Sequence, residues 1–205
     1  MADPARPRSP LAMVLLALVW EGPMHPYRMQ QLIEQRGKDK IANVARRNSV
    51  YQTIESLRRS GLIAVRETAR DEGRPERTVY AITEEGDRTL RLWLSTMIST
   101  PAREFPDFPA ALSMVALFTP DLVGDLLEER VRHLTERLGE LSDPGIEMPR
   151  LFTIEDEYQR VMTEAELGWV RGVIADLRSG SLAWDPEWVL SVAEAMGHVT
   201  GSGPE

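Results

Sequence analysis

No cysteine occurs among the 205 residues. Disulfides, thiolate zinc sites and cysteine nucleophiles are therefore excluded, and a reducing cytoplasm is the expected setting. Histidine is scarce, with three residues at scattered positions, and there is no Gly-x-Ser-x-Gly elbow. His133 lies four after Glu129 and three before Glu136, but Arg130, Arg132 and Arg137 interleave, which reads as a solvated helix face. The stretch from Gly197 to Gly203 lacks the lysine and the preceding strand of a phosphate loop. With no catalytic constellation visible, neither an enzyme nor a metal or other cofactor is expected. Long apolar runs are also missing. Leu11–Trp20, ten consecutive apolar residues after Arg6 and Arg8, superficially resembles a signal peptide. Glu21-Gly22-Pro23-Met24-His25 follows it with no small-x-small cleavage site, and a bilayer needs about 20 apolar residues. A buried first helix is the better reading, and no membrane partner is expected.

What is present is ordinary in kind and uneven in distribution. Hydrophobic residues at 42% and charged residues at 27% exclude wholesale disorder. The net charge of −8 speaks against nucleic acid only if it is evenly spread. Residues 1–100 hold 16 basic and 12 acidic groups, a net of +4, whereas residues 101–205 hold 8 and 20, a net of −12. Arg36 to Arg77 alone carries +5. Such asymmetry suggests a polyanion-facing module joined to a module with another task.

Residues 1–9, rich in Pro and Arg, read as a mobile arm. After the first helix, Gly22-Pro23 is a break. A second helix runs from about Tyr27 to Arg36, with Met29, Leu32 and Ile33 on one stripe and Gly37 at its end. Asn48 is a good N-cap for a third helix, in which Val50, Ile54 and Leu57 recur at helical spacing up to Gly61. Its other face carries Ser49, Gln52, Thr53 and Ser56, short hydrogen-bonding side chains where a solvated face would carry long charged ones. Leu62–Val65 and Thr78–Ile82 read as paired strands around a polar hairpin with arginines at 66, 70, 74 and 77. Thr83 caps a fourth helix that opens on Glu84 and Glu85, as the helix dipole favours, and runs to about Ile98.

Three helices, a two-stranded hairpin and a following helix describe a winged helix-turn-helix over residues 10–100. A helix with a polar, uncrowded face fits a major groove about 12 Å wide, where Ser, Thr and Gln reach base edges. A basic hairpin beside it can reach backbone or minor groove. The candidate DNA contacts are Arg46, Arg47, Asn48, Ser49, Tyr51, Gln52, Thr53, Arg58, Arg74 and Arg77. Glu55, Glu67, Asp71, Glu72 and Glu76 neutralise part of this charge, so about half of the arginines here are expected on phosphate. Tyr51 can equally be a packed ring with its hydroxyl at the surface.

Three pieces of sequence carry a family resemblance: Gly22-Pro23-Met24-His25-Pro26-Tyr27; Ser49-Val50-Tyr51 ahead of Leu57 and Gly61-Leu62-Ile63; and the run from Arg74 through Tyr80 to Gly86. In that order and spacing, over roughly residues 11–90, they resemble the PadR-like transcriptional regulators. The resemblance implies a homodimeric, usually repressing DNA-binding protein whose C-terminal helices build the dimer, often with a small effector. Carried over by position, Ser49 and Tyr51 would meet the operator and the hairpin arginines the backbone or minor groove. The chain departs from the family at Pro26, where a small residue is common, at Asn48 for Gly, at Gln52 for Pro and at Thr78 for a basic residue. Gln52 adds a donor-acceptor side chain to the reading face, and Thr78 removes a phosphate contact.

Residues 101–205 read as a helical dimerisation and possible effector domain, so the whole is mainly α with one small β-hairpin. Phe108–Phe118 reads as one short helix. Thr119-Pro120-Asp121 starts another, whose Leu127, Val131, Leu134, Leu138 and Leu141 form a coiled-coil-like seam up to Asp143-Pro144-Gly145. Thr153 starts a long helix to about Arg178 with apolar residues on more than one stripe, which one partner helix cannot cover. Asp185-Pro186 starts a last helix through Met196. Trp93, Trp169 and Trp188 are candidates for an effector pocket or for dimer core. The expected partners are a palindromic double-stranded DNA operator, a second copy of the chain and a small hydrophobic or aromatic effector. The alternative is a winged-helix interaction scaffold that no longer binds DNA, suggested by the acidic second half and the acids of the wing.

Overall fold

The computed structural model describes residues 9–38, 47–69, 77–141 and 149–199. The chain forms two compact units, Met1–Arg103 and Glu104–Glu205.

In the first unit, helix α1 (Pro10–Glu21) is set by Ser9, whose hydroxyl accepts from the Ala12 amide, and by Pro10 in the first turn. Leu15 and Leu16 are fully enclosed and Leu11, Val14, Leu18 and Val19 nearly so, so this helix is the centre of the core, as its apolar run predicts. Helix α2 (Pro26–Gln35) opens with His25 Nδ1 accepting from the Tyr27 amide and buries Met29, Leu32 and Ile33. A two-pronged ion pair from Arg36 to Glu21, at 2.5 and 2.8 Å, ties the end of α2 to the end of α1. Helix α3 (Arg47–Arg59) buries Val50, Ile54 and Leu57. Asn48 is thus the second residue of the helix and not its cap, because the helical turn already begins at Arg47.

Strand β1 (Ile63–Ala69) pairs antiparallel with β2 (Arg77–Ile82), and both strands extend further into the hairpin than their apolar residues predict. The register passes from Val65↔Tyr80 to Glu67↔Val79, leaving Arg66 as the extra residue of a bulge. Met24 exchanges two backbone hydrogen bonds of 3.0 Å with Tyr80, which fastens the base of the wing to the chain before α2. Gly61 takes φ +71°, the left-handed value that ends α3 and starts the turn into β1. Helix α4 (Glu84–Ser99) is capped by Thr83, whose hydroxyl accepts from the Gly86 amide and donates to the Gly61 carbonyl at 2.7 Å. Gly86 is required at this joint: a β-carbon there would stand 2.0 Å from the Leu62 carbonyl oxygen.

The second unit is a helical pair with additions. Helix α5 (Asp107–Leu112) ends early and a 3-10 turn, Val115–Leu117, follows, so Phe108–Phe118 is not one helix. The Ser113 hydroxyl donates to the Ala110 carbonyl at 2.6 Å, and the Met114 amide bonds three residues back, which tightens and stops the helix. Helix α6 (Pro120–Glu140), capped by Thr119, packs on α7 (Ile154–Ser179). Leu127 and Leu134 of the seam meet Leu167, Val170 and Ile174, with Val131 and Leu138 half-buried beside them. An ion pair between Arg130 and Glu166 crosses the same joint. Thr153 precedes α7 but does not cap it; its hydroxyl donates to the Arg150 carbonyl, and a two-pronged Arg150–Glu157 pair holds the first turn. Helix α8 (Pro186–Val199) continues past Met196. No helix among the described residues is long and apolar enough to cross a membrane.

Candidate nucleic-acid interface

The inner stripe of α3 fixes the direction of the outer one. Because Val50, Ile54 and Leu57 face the core, the positions that follow each other at helical spacing opposite them are 48, 52, 55 and 59. Tyr51 is 48% exposed and Gln52 is exposed, so both can meet a ligand on this face, whereas Ser49 is half-buried. The backbone of Arg47, Asn48 and Arg77 is in place, but their side chains, and Arg46 and Arg74 altogether, lie outside the described residues.

Two of the expected contacts are changed by local bonds. Thr53 donates its hydroxyl to the Ser49 carbonyl at 2.6 Å, so its proton is held within the helix and is not offered outward. Arg58 closes a fork on Glu55, Nε to Oε2 at 2.9 Å and Nη2 to Oε1 at 2.7 Å. That hydrogen bonding holds the Glu55 carboxyl below its ordinary pKa and raises that of Arg58. Arg58 would have to release Glu55 to bind a phosphate. Arg59, by contrast, is exposed on the outward stripe, seven residues after Gln52, and is the better-placed cation at this end of the helix. Its seven-residue spacing from Gln52 marks it in the sequence once the buried stripe is known. Arg66, on the wing, is likewise exposed at the bulge.

Gln52, Thr53, Ser56 and Ser60 also line one side of a cleft of about 260 Å³, closed by Ser9, Ala12, Leu57, Leu62 and Trp93. The start of α1 thus lies beside the polar flank of α3. Trp93 is 7% exposed and belongs to the hydrophobic core of the first unit, with part of its surface on this cleft. Its place on α4 turns the ring onto α1 and α3, where burial outweighs any exposed role. Trp169 is half-exposed on α7, its ring edge-on to Phe108 at 6.1 Å, and the Arg130 guanidinium sits 3.4 Å over that Phe108 ring. Trp188 is exposed on α8.

Comparison with known proteins agrees with this architecture. Residues 15–92 match the family model described as the transcriptional regulator PadR-like family. No curated protein matches. Among solved structures, Bacillus subtilis PadR in complex with operator DNA is 16% identical with a TM-score of 0.63, covering 82% of this chain and 98% of that one. The same protein in complex with p-coumaric acid is 15% identical with a TM-score of 0.65, covering 82% and 99%. The PadR-like regulator BC1756 from Bacillus cereus is 16% identical with a TM-score of 0.55, covering 85% and 99%. At such identities the solved structures show a shared fold, a winged-helix head with helices after it, and the family model adds the sequence signature of the head. Over residues 15–92 the chain thus carries the sequence signature of the transcriptional regulator PadR-like family, on a fold similar to that of the solved PadR structures.

Proposed function

We propose that the protein is a cytoplasmic, ligand-responsive homodimeric repressor that binds a palindromic DNA operator through α3 and the wing. The observation that carries this reading is the outward face of α3, with Tyr51 and Gln52 open and Arg59 exposed on the same stripe, presented beside an antiparallel wing. Helix-turn-helix proteins place such a face in the major groove, and a wing reaches the neighbouring backbone or minor groove. Ser49, Tyr51 and Gln52, with Asn48, read bases, while Arg47, Arg59, Arg66, Arg74 and Arg77 hold phosphates. The likeness to a regulator crystallised on operator DNA supports DNA as the partner, and the p-coumaric acid complex of that protein supports a small effector.

The dimer is supported by α7, which leaves Tyr158, Val161, Met162 and Trp169 at least half exposed along one stripe. A stripe of that kind on a 26-residue helix calls for an apolar cover. A second copy supplies it symmetrically and sets two α3 helices about 34–36 Å apart, one turn of DNA.

The test is fluorescence anisotropy on a palindromic fragment from upstream of the protein's own gene, over a range of salt concentrations. Binding should weaken steeply with salt, and Arg74→Ala should lower the slope by about 1 while weakening all sequences alike. A stable dimer that fails to bind at low salt sinks this reading and leaves the interaction scaffold in its place.

A further inference from the structure

The second unit is strongly acidic, yet three of its seven arginines, its only Arg or Lys residues in the sequence, converge on one groove. The groove runs between α6 and α7, holds about 700 Å³ and is lined by Arg132, Arg171 and Arg178, with Glu128 as its one acid and Val131, Ile174 and Ala175 along its floor. Arg178 pairs with Glu128. Arg132 has only a long contact, 3.8 Å, to Glu129 outside the groove. Arg171 is exposed and makes no ion pair or hydrogen bond among the described residues.

We propose that this groove binds a small organic dianion, a phosphate monoester or dicarboxylate head carried on a short apolar body. The lining's three guanidiniums and one carboxylate leave a net of +2, which matches a doubly charged head. Guanidinium forks suit oxyanions because two parallel N–H donors meet two oxygens. The apolar floor gives the rest of the ligand a surface to cover, and the volume falls in the usual range for small-molecule sites, about 300–1,000 Å³. The groove is also distinct from the exposed apolar stripe of α7. At about 100° per residue, Arg171, Ala175 and Arg178 fall roughly a third of a turn from Tyr158, Val161, Met162 and Trp169. Covering the stripe with a second copy therefore leaves the arginines on another side of the helix.

The experiment is isothermal titration of the full chain, without DNA, with phenyl phosphate, phthalate, benzoate and inorganic phosphate. A failure of operator binding leaves this measurement untouched. Phenyl phosphate or phthalate should bind saturably and about tenfold more tightly than benzoate, since the second charge engages a further guanidinium. Whichever of the two binds identifies the head group. Arg171→Gln and Arg132→Gln should each weaken binding about tenfold, whereas Arg137→Gln, outside the groove, should leave it unchanged. Saturation by neither dianion, or parental binding by both groove variants, overturns the site. Equal affinity for inorganic phosphate and phenyl phosphate overturns the role of the apolar floor.

Discussion

The two units differ in how much apolar surface they enclose, although the first also exposes Trp20 and, on α4, Leu92 and Ile98. Among the described residues the first encloses seventeen hydrophobic side chains in one core around α1, whereas the second encloses six between α6 and α7. The second unit meanwhile exposes Tyr158, Val161, Met162 and Trp169 on α7, and Trp188, Leu190 and Met196 on α8. A core built on a largely enclosed helix can hold α3 and the wing steady by itself. A pair of helices has two faces too many, and its stability is tied to whatever covers them.

The most severe way to break the comparison is to open the first core. Leu16→Ala removes a side chain with no exposure and should cost about 2–5 kcal/mol, seen as a fall in the unfolding midpoint and loss of operator binding. An unchanged midpoint would mean that α1 is not the centre on which the head depends. Next in size, Val161→Asp combined with Met162→Asp should turn a dimer into a monomer by light scattering. Operator affinity should then fall about a hundredfold, because the two heads no longer bind as one. Persistence of the dimer would place the interface elsewhere. Gln52→Ala should change which operator variants are preferred, by about 1–3 kcal/mol at the bases it meets, with the unfolding midpoint unmoved.

The smallest effect concerns pH. Hydrogen bonding from Arg36 lowers the pKa of Glu21 from its ordinary 4.5 and, in turn, raises that of Arg36. A depressed carboxyl stabilises the folded state above its ordinary value and ceases to do so as the pH falls through the lowered one. Glu21→Gln should therefore flatten the acid limb of the stability curve slightly, by well under about 1 kcal/mol for so exposed a pair. An acid limb identical to the parent's would show that the fork contributes nothing measurable.

Much of the head was legible from sequence because its signals are local. Thr83 caps α4 with a bond to the amide three residues on, and Gly61 ends α3 by its own backbone preference, whereas Ser9, read as part of a mobile arm, proves to be the cap of α1. The stripe of Val50, Ile54 and Leu57 marks the inner face of α3 by spacing alone. The expectations that did not carry over concern competition between groups. Asn48 has the chemistry of a cap, but the helix begins one residue before it. Phe108–Phe118 has the apolar content of a helix, but Ser113 turns its hydroxyl back on the chain.

At the candidate interface the same division holds. Residue type and spacing select Ser49, Tyr51 and Gln52, but not which side chains are already engaged. Thr53 on Ser49 and Arg58 on Glu55 are choices among rotamers, settled by neighbours on the same helix. Arg59 becomes prominent only after the inner stripe is oriented against the core.

By itself, then, the sequence determined the order of elements, the charge division and the face of α3 that looks outward. These follow from periodicity, caps and composition, which act over a few residues. The tertiary structure decided that Trp93 is closed into a core, that Met24 braces the wing through Tyr80, and that Arg132 meets Arg171 and Arg178 in one groove. Each of these joins residues far apart in the chain, and only packing fixes which distant side chains share a dry interior or a common opening to solvent.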